Sequence, residues 1–175
     1  MPNPVAKTRQ SNAPTNHRRT FAVKLRPADS EDSNDIWEWR NDPTTRAMSR
    51  IATVTSWESH CTWFAAAQKN ENKVIYIGTE GETDAKIGMV RFDIDPANNV
   101  AETSINLNPA MRGKSLSQPF LALAAEKFSH YFNGDLVAEI RSENSTSIRI
   151  FENVGFVEHA EEQGMKKFRK PSRAR

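Results

Sequence analysis

The sequence predicts a mixed α/β (α+β) fold: a mostly antiparallel sheet of six to seven strands flanked by about four helices. Three observations carry this. Short segments of alternating polarity, at 21–25, 74–79, 86–93 and 100–107, are interspersed with segments whose apolar residues recur at helical spacing. Three of the short segments follow one another with only turn residues between them, at 80–84 and 95–99, which makes them antiparallel neighbours. The strands after 107 are separated by helices, so neither a sandwich nor a bundle fits.

Taken in order, residues 1–20 are rich in Pro, Asn, Thr and basic side chains with little to bury, and read as a disordered leader. Residues 21–25 form a first strand closed by Arg26-Pro27. Asp29 or Ser30 caps a helix carrying Ile36, Trp37 and Trp39. It ends near Asp42, because the residue before Pro43 resists helical geometry. Thr55-Ser56-Trp57-Glu58 reads as a capping box with Thr55 as cap and Glu58 at the third helical position. The helix runs from Trp57 to about Lys69, with Trp57, Cys61 and Phe64 or Ala65 at core spacing.

Strands at 74–79, 86–93 and 100–107 follow, the last with Ala101, Thr103, Ile105 and Leu107 on one face. A helix then carries Leu116, Phe120, Leu123, Ala124 and Phe128, and Asn133-Gly134-Asp135 ends it. A buried strand at 136–140 leads to a helix at 144–154, with Gly155 as its left-handed stop. Phe156 onward and 165–168 are the final strands. One domain over 21–170, with a basic tail at 171–175, accounts for the chain.

With 175 residues and 37% hydrophobic composition, one real core can be buried. The net charge of +2 conceals an uneven distribution, since much of the positive charge lies at the two ends. No aromatic-and-basic cluster accompanies those tails, so they read as solvated and a nucleic-acid role is not expected. The single cysteine, Cys61, leaves no internal disulfide and suits a reducing, cytoplasmic compartment. No apolar run of signal-peptide or membrane-span type is present, so no membrane partner is expected. The four histidines have no metal spacing, and no metal is expected. His60 and Cys61 are adjacent on a helix and point about 100° apart, which argues against a Cys/His nucleophile.

The stretch with most chemical content is 106–117. A strand ends at Pro109, a loop carries Arg112, Gly113 and Lys114, and a helix starts. Free N–H groups of such a loop and of a first helical turn, reinforced by the helix dipole, form a site for a phosphate or other anion. Ser117 is an N-cap on the alternative reading.

Together with the order of elements, this loop and the run from Glu143 to Phe156, with its Asn144, Ser147, Phe151, Gly155 and Phe156, resemble the GNAT superfamily of acyl-CoA-dependent N-acetyltransferases over residues 21–170. Leu25-Arg26-Pro27, the run from Trp39 to Asp42, Glu58-Ser59-His60 with Trp63-Phe64, and Ile87-Gly88 with Arg91-Phe92 are most similar to the branch acetylating nucleotide-linked amino sugars, as in the pseudaminic-acid pathway. The resemblance implies a GNAT-like sheet, acetyl-CoA as co-substrate, and a small-molecule amine as acceptor. A homodimer stays open.

On this resemblance the backbone of Arg112, Gly113, Lys114, Ser115, Leu116 and Ser117 would carry the cofactor's pyrophosphate. Its pantetheine arm would lie in a splay between the strand ending at Leu107 and the strand at 136–140, touching Asn144, which is equally a helix N-cap. The amide of Leu107 or a neighbour would be the oxyanion donor. The family's loop reads Arg-x-x-Gly-x-Gly, and here Ser115 and Ser117 stand in both glycine places, while Pro119 has no N–H to offer.

His60 and Glu102 are the candidate general bases; the alternatives are an exposed helical histidine and an outward-facing strand residue. Arg40, Asn41 and Arg46 are the candidates for sugar or diphosphate contacts. Phe151 stands where many relatives carry a tyrosine acid. Two other functions remain open: acetylation of a protein N-terminus or lysine, and a GNAT-fold binding module without catalysis.

Overall fold

A computed structural model of the protein describes residues 23–172. The leader expected over 1–20, Phe21 at the start of the first strand, and residues 173–175 of the tail lie outside the described residues. The elements run β1 (Val23–Pro27), α1 (Ser33–Asn41), α2 (Pro43–Met48), α3 (Trp57–Lys69), β2 (Lys73–Glu80), β3 (Lys86–Asp95) and β4 (Val100–Leu107). They continue with α4 (Ser117–Ser129), β5 (Asp135–Arg141), α5 (Ser145–Asn153), β6 (Val157–Glu162) and β7 (Met165–Lys170).

The strands form one open seven-stranded sheet in the order β1-β2-β3-β4-β5-β7-β6. Every neighbouring pair is antiparallel except β4 and β5. That parallel pair is short: Val100, Ala101 and Glu102 pair with Asp135, Leu136 and Val137, and the ladder stops there. Both strands continue beyond this point, so a gap opens in the middle of the sheet.

Each face of the sheet has its own core. On one side Phe92, Ala101, Leu136, Ala138 and Ile140 pack under Phe120, Leu121, Ala124 and Phe128 of α4 and Phe151 of α5. On the other, Ile75, Ile77 and Met89 pack under Ile36 and Trp39 of α1 and Phe64 and Ala67 of α3. Gly88 has no side chain for a reason of space: a Cβ there would lie 2.2 Å from the carbonyl oxygen of Asn106, so β3 can follow β4 closely to its end.

A buried carboxylate ties the start of the chain to the sheet. Asp32, fully buried in a 3₁₀ turn before α1, accepts from Arg26 Nη1 at 2.6 Å and Nη2 at 2.7 Å. Lys86 Nζ stands 2.8 Å away, and the Asp29 amide donates at 3.0 Å. Asp32 thus joins β1, the turn and β3.

Several expectations are corrected. The cap of α3 is Ser56, which accepts from the Ser59 amide, and not Thr55 with Glu58. The buried face of α3 is His60, Phe64 and Ala67; Trp57 is 45% exposed and Ala65 also faces solvent, because the true stripe is rotated from the expected one. Helix α1 ends at Asn41 with Asp42 as its C-cap, as expected of the residue before a proline, but Pro43 also begins a further helix, α2, with the Asp42 side chain accepting from the Thr45 amide. Helix α4 ends at Ser129, before Gly134. Gly134 answers a close approach instead, since a Cβ there would lie 2.1 Å from the Asn99 carbonyl oxygen. Gly155, at φ +95°, is the left-handed stop after α5.

Candidate functional site

The gap between β4 and β5 opens into a cleft of ≈ 460 Å³ that passes from one face of the sheet to the other. Past Glu102 the edge of β4 has lost its strand partner, so backbone groups of that edge face the cleft. Strand β4 lines it continuously from Glu102 to Asn106. The α1–α3 side contributes Arg40, His60, Trp63 and Arg91, with Glu139 from β5. The α4–α5 side contributes Ile140, Asn144, Ser147 and Phe151. Two reactants can therefore approach the same strand from opposite sides.

The cleft is roofed by the segment between α2 and α3, and donors on α1 and α2 fix that segment. Arg40 Nη2 donates to the Ile51 carbonyl at 2.7 Å and Arg46 Nη1 to that of Ala52 at 3.3 Å. Asn41 makes a two-way bond with the Thr55 backbone, 2.8 Å in each direction, and Trp37 Nε1 donates to the same carbonyl. From the far side, Arg141 Nε donates to the Ser49 carbonyl and Arg50 pairs with Glu139 at 3.1 Å. Of the three residues expected to touch substrate, Arg40 lines the cleft, whereas Asn41 and Arg46 shape the roof and do not line it.

His60 and Glu102, on elements far apart in sequence, both line the cleft. His60 is 2% exposed, which overturns the reading of an exposed helical histidine. Its ring packs against Trp57, Trp63 and Phe64, and Nε2 lies 3.2 Å from Ser33 Oγ. Burial pushes its pKa below the usual 6.5, against a smaller opposing effect of Ser33, so the imidazole is neutral at pH 7. Glu102 is half-buried and makes no direct ion pair or hydrogen bond among the described residues.

The loop after β4 turns its arginine away toward α2 and leaves its own amides unpaired. Arg112 Nη2 donates to Asp42 Oδ2 at 2.6 Å and to Thr45 Oγ1 at 2.8 Å, anchoring the loop to α2. The Arg112 hydrogen bond holds the Asp42 carboxyl below its usual range. Gly113 and Ser115 both take left-handed backbone conformations, at φ +75° and +59°. Ser115 therefore keeps the conformation that a glycine adopts freely. The amides of Gly113, Lys114, Ser115 and Leu116 have no hydrogen-bond acceptor among the described residues. The cap position of α4 is Leu116, which offers no side-chain acceptor, and Ser117 is the first helical residue rather than the N-cap. A run of unpaired amides leading into a helix start without a side-chain cap has the geometry that can receive an anion. Leu107 lies between this loop and the cleft but does not line the latter. Asn144 both lines the cleft and caps α5, accepting from the Ser147 amide at 3.1 Å.

Arg91, Thr103 and Glu139 are site residues that sequence reasoning missed. The available signals were the place of Thr103 on the expected inward face of β4 and that of Arg91 in the Ile87-Gly88 to Arg91-Phe92 motif. Among the described residues, three buried side-chain polar atoms have no hydrogen-bond partner: Arg40 Nη1, Arg91 Nε and Thr103 Oγ1. All three residues line this cleft. No group of His, Cys, Asp and Glu able to hold a metal is found among the described residues, and no described helix is long and apolar enough to cross a membrane.

Comparison with known proteins adds the following. The family model described as an acetyltransferase (GNAT) domain matches residues 22–157. No curated protein matches the sequence. Among solved structures, a domain from Methanocaldococcus jannaschii superposes with a TM-score of 0.74 at 21% identity, covering 85% of this chain and 97% of that one. Spermidine N-acetyltransferase from Vibrio cholerae, in complex with CoA and spermine, gives 0.72 at 16% identity over 84% and 92% of the two chains. A candidate phosphinothricin N-acetyltransferase gives 0.72 at 24% identity over 86% and 98%. At these identities the structural likeness establishes the fold.

Proposed function

We propose that this chain, which belongs to the acetyltransferase (GNAT) domain family, transfers an acetyl group from acetyl-CoA to the amine of a small molecule. The observation that carries the reading is the interrupted β4–β5 ladder, which opens a cleft toward which three unpartnered buried polar atoms converge. The domain over 21–170 is the catalytic unit, and a reducing cytoplasmic compartment suits its lone Cys61.

Acetyl-CoA supplies an activated acyl carbon. The unpaired amides from Gly113 to Leu116, with Arg112 and Lys114 shaping the loop and Ser117 opening α4, hold its pyrophosphate. The unpartnered edge of β4 up to Leu107 gives the extended arm a strand to pair with, Asn144 flanks it from α5, and an amide there donates to the carbonyl oxygen as negative charge develops. Glu102 takes the proton from the attacking nitrogen, while neutral His60, fixed by Ser33 and its aromatic neighbours, positions the acceptor. The new C–N bond forms as the C–S bond breaks. Phe151 adds only apolar surface, so the departing thiolate takes its proton from water, or receives through water the one that Glu102 removed from the nitrogen.

The finer reading, an amino sugar linked to a nucleotide, is supported by the sequence resemblance and by Arg40 in the cleft wall; Asn41 and Arg46 support it only by fixing the roof. The chain's likeness to acetyltransferases named for spermidine and phosphinothricin is in keeping with small-molecule amines more broadly. A binding module without catalysis is disfavoured by the left-handed geometry that Ser115 retains.

A thiol-release assay over primary amines tests the reading. Acceptor-dependent release of free CoA, with the acetylated amine identified by mass, is the expected result. A folded protein that shows no thermal shift with acetyl-CoA and no turnover on any amine, peptide N-termini included, would favour the module.

A further inference from the structure

The charges around the cleft restrict which amine can enter it, an argument that rests on the acetyl-transfer reading. A buried donor or acceptor left without a partner costs about 1–3 kcal/mol, and folded proteins hold few of them. Here Arg40 Nη1, Arg91 Nε and Thr103 Oγ1 are gathered on one cavity, an arrangement that calls for a ligand to satisfy them.

The charge balance says what that ligand carries. Arg50 is matched by Glu139 at 3.1 Å. Arg91 lies over the Trp63 ring and shares Asp93 with Lys73, Asp93 Oδ2 standing 2.7 Å from Nε without a directed hydrogen bond, and Glu102 adds a second, more distant negative charge. Arg40 has no carboxylate within ion-pairing distance among the described residues; it gives one bond to the Ile51 carbonyl and keeps Nη1 free. Burial, with repulsion from Arg46, lowers its pKa, as expected of an uncompensated guanidinium. Glu102 is attracted at a distance by Arg91 and Lys73, but no donor contacts its oxygens among the described residues. The α1–α3 side of the cleft thus presents one unmatched cation, Arg40, and one carboxylate, Glu102, whose oxygens make no direct contact.

We propose that the acceptor is an amine bearing its own acidic group, carboxylate or phosphate, with its nitrogen at Glu102 and its acid on Arg40. A guanidinium fork is suited to both acids. A polyamine would set a second ammonium against Arg40 and Arg91, and like charges in a desolvated site exclude it. An acid-free amine would leave Arg40 Nη1 unpaired.

The test uses the full chain with acetyl-CoA and matched pairs of acceptors: α-amino acids against their decarboxylated amines, amino-sugar phosphates and nucleotide-linked amino sugars against free amino sugars, and spermidine. The acid-bearing member of a pair is expected to have the lower KM, and which pair responds separates carboxylate from phosphate. Arg40→Gln, which removes the guanidinium and shortens the side chain, is expected to raise that KM about ten- to hundred-fold. It should raise the KM of the acid-free partner by a clearly smaller factor, since both acceptors share the loss of the Ile51 contact, and Arg40→Lys should restore part of the acid-specific loss. Preference for spermidine or for acid-free amines, or an equal effect of Arg40→Gln on both members, would overturn the proposal. So would turnover of acid-free amines alone. If acetyl-CoA does not bind, the transfer reading fails separately; calorimetry with the acid-bearing amines then decides, loss of heat in Arg40→Gln supporting the acid site and no heat with the wild type overturning it.

Discussion

Glu102→Gln is expected to lower kcat about 10²- to 10⁴-fold, the range that a positioned general base contributes. The substitution keeps size and half-burial and removes only the negative charge and the basic oxygen. Glu102 makes no direct hydrogen bond or ion pair and interacts with Arg91 and Lys73 only at a distance, so the melting temperature should change little. Affinity for acetyl-CoA should also hold, because the unpaired amides lie beyond the other end of β4, at 113–116. Initial rates by thiol release, with acetyl-CoA affinity measured in parallel, separate these quantities. A fall of less than about threefold would remove Glu102 from the chemistry and leave His60 as the candidate base.

The second large effect is on stability. Asp32→Ala is expected to cost about 3 kcal/mol, the lower end of the range for breaking a buried ion pair. The lower end applies because Arg26 and Lys86 would be stranded with 39% and 29% of their side chains exposed, so water recovers part of the loss. Burial alone would raise the Asp32 carboxyl, but hydrogen bonds from Arg26, Lys86 and the Asp29 amide overcome it and hold the group at about 2 against an ordinary 3.8. A depressed carboxyl stabilises the fold fully above 3.8, and that contribution is lost as pH falls from 3.8 toward 2. Such a shift is worth roughly 2 kcal/mol. Urea unfolding of the wild type should therefore steepen in its loss of stability over that window, and Asp32→Ala should lack this component. Parallel pH curves for the two proteins would show Asp32 to be incidental.

The legible parts of the fold were those that local pattern decides. Strand β4 lies at 100–107 as its alternation requires, and Gly155 stops α5 because the chain there needs a left-handed residue. Where two local signals compete, the pattern misleads. Thr55 and Ser56 can each cap a helix, and tertiary docking of α3 selects Ser56. Pro43 can end a helix or begin one, and α2 is too short and polar to show an apolar stripe. Trp57 attracts a core assignment that belongs to His60, whose burial follows from the aromatic cage around it. The loop at 112–117 was visible as a motif, but the engagement of Arg112 by Asp42, 70 residues away, was not. Arg91, Thr103 and Glu139 could not be read as one site because only sheet order brings β3, β4 and β5 together.

Calorimetric titration with acetyl-CoA, of the wild type and of Ser115→Trp, tests the central claim most directly. A bulky side chain at a left-handed position would both strain the loop and obstruct its amides. The account predicts micromolar binding by the wild type and loss of at least an order of magnitude in the variant, on the order of 1.4 kcal/mol or more. A folded wild-type protein that gives no heat with acetyl-CoA, or a variant that binds it equally well, would contradict the account.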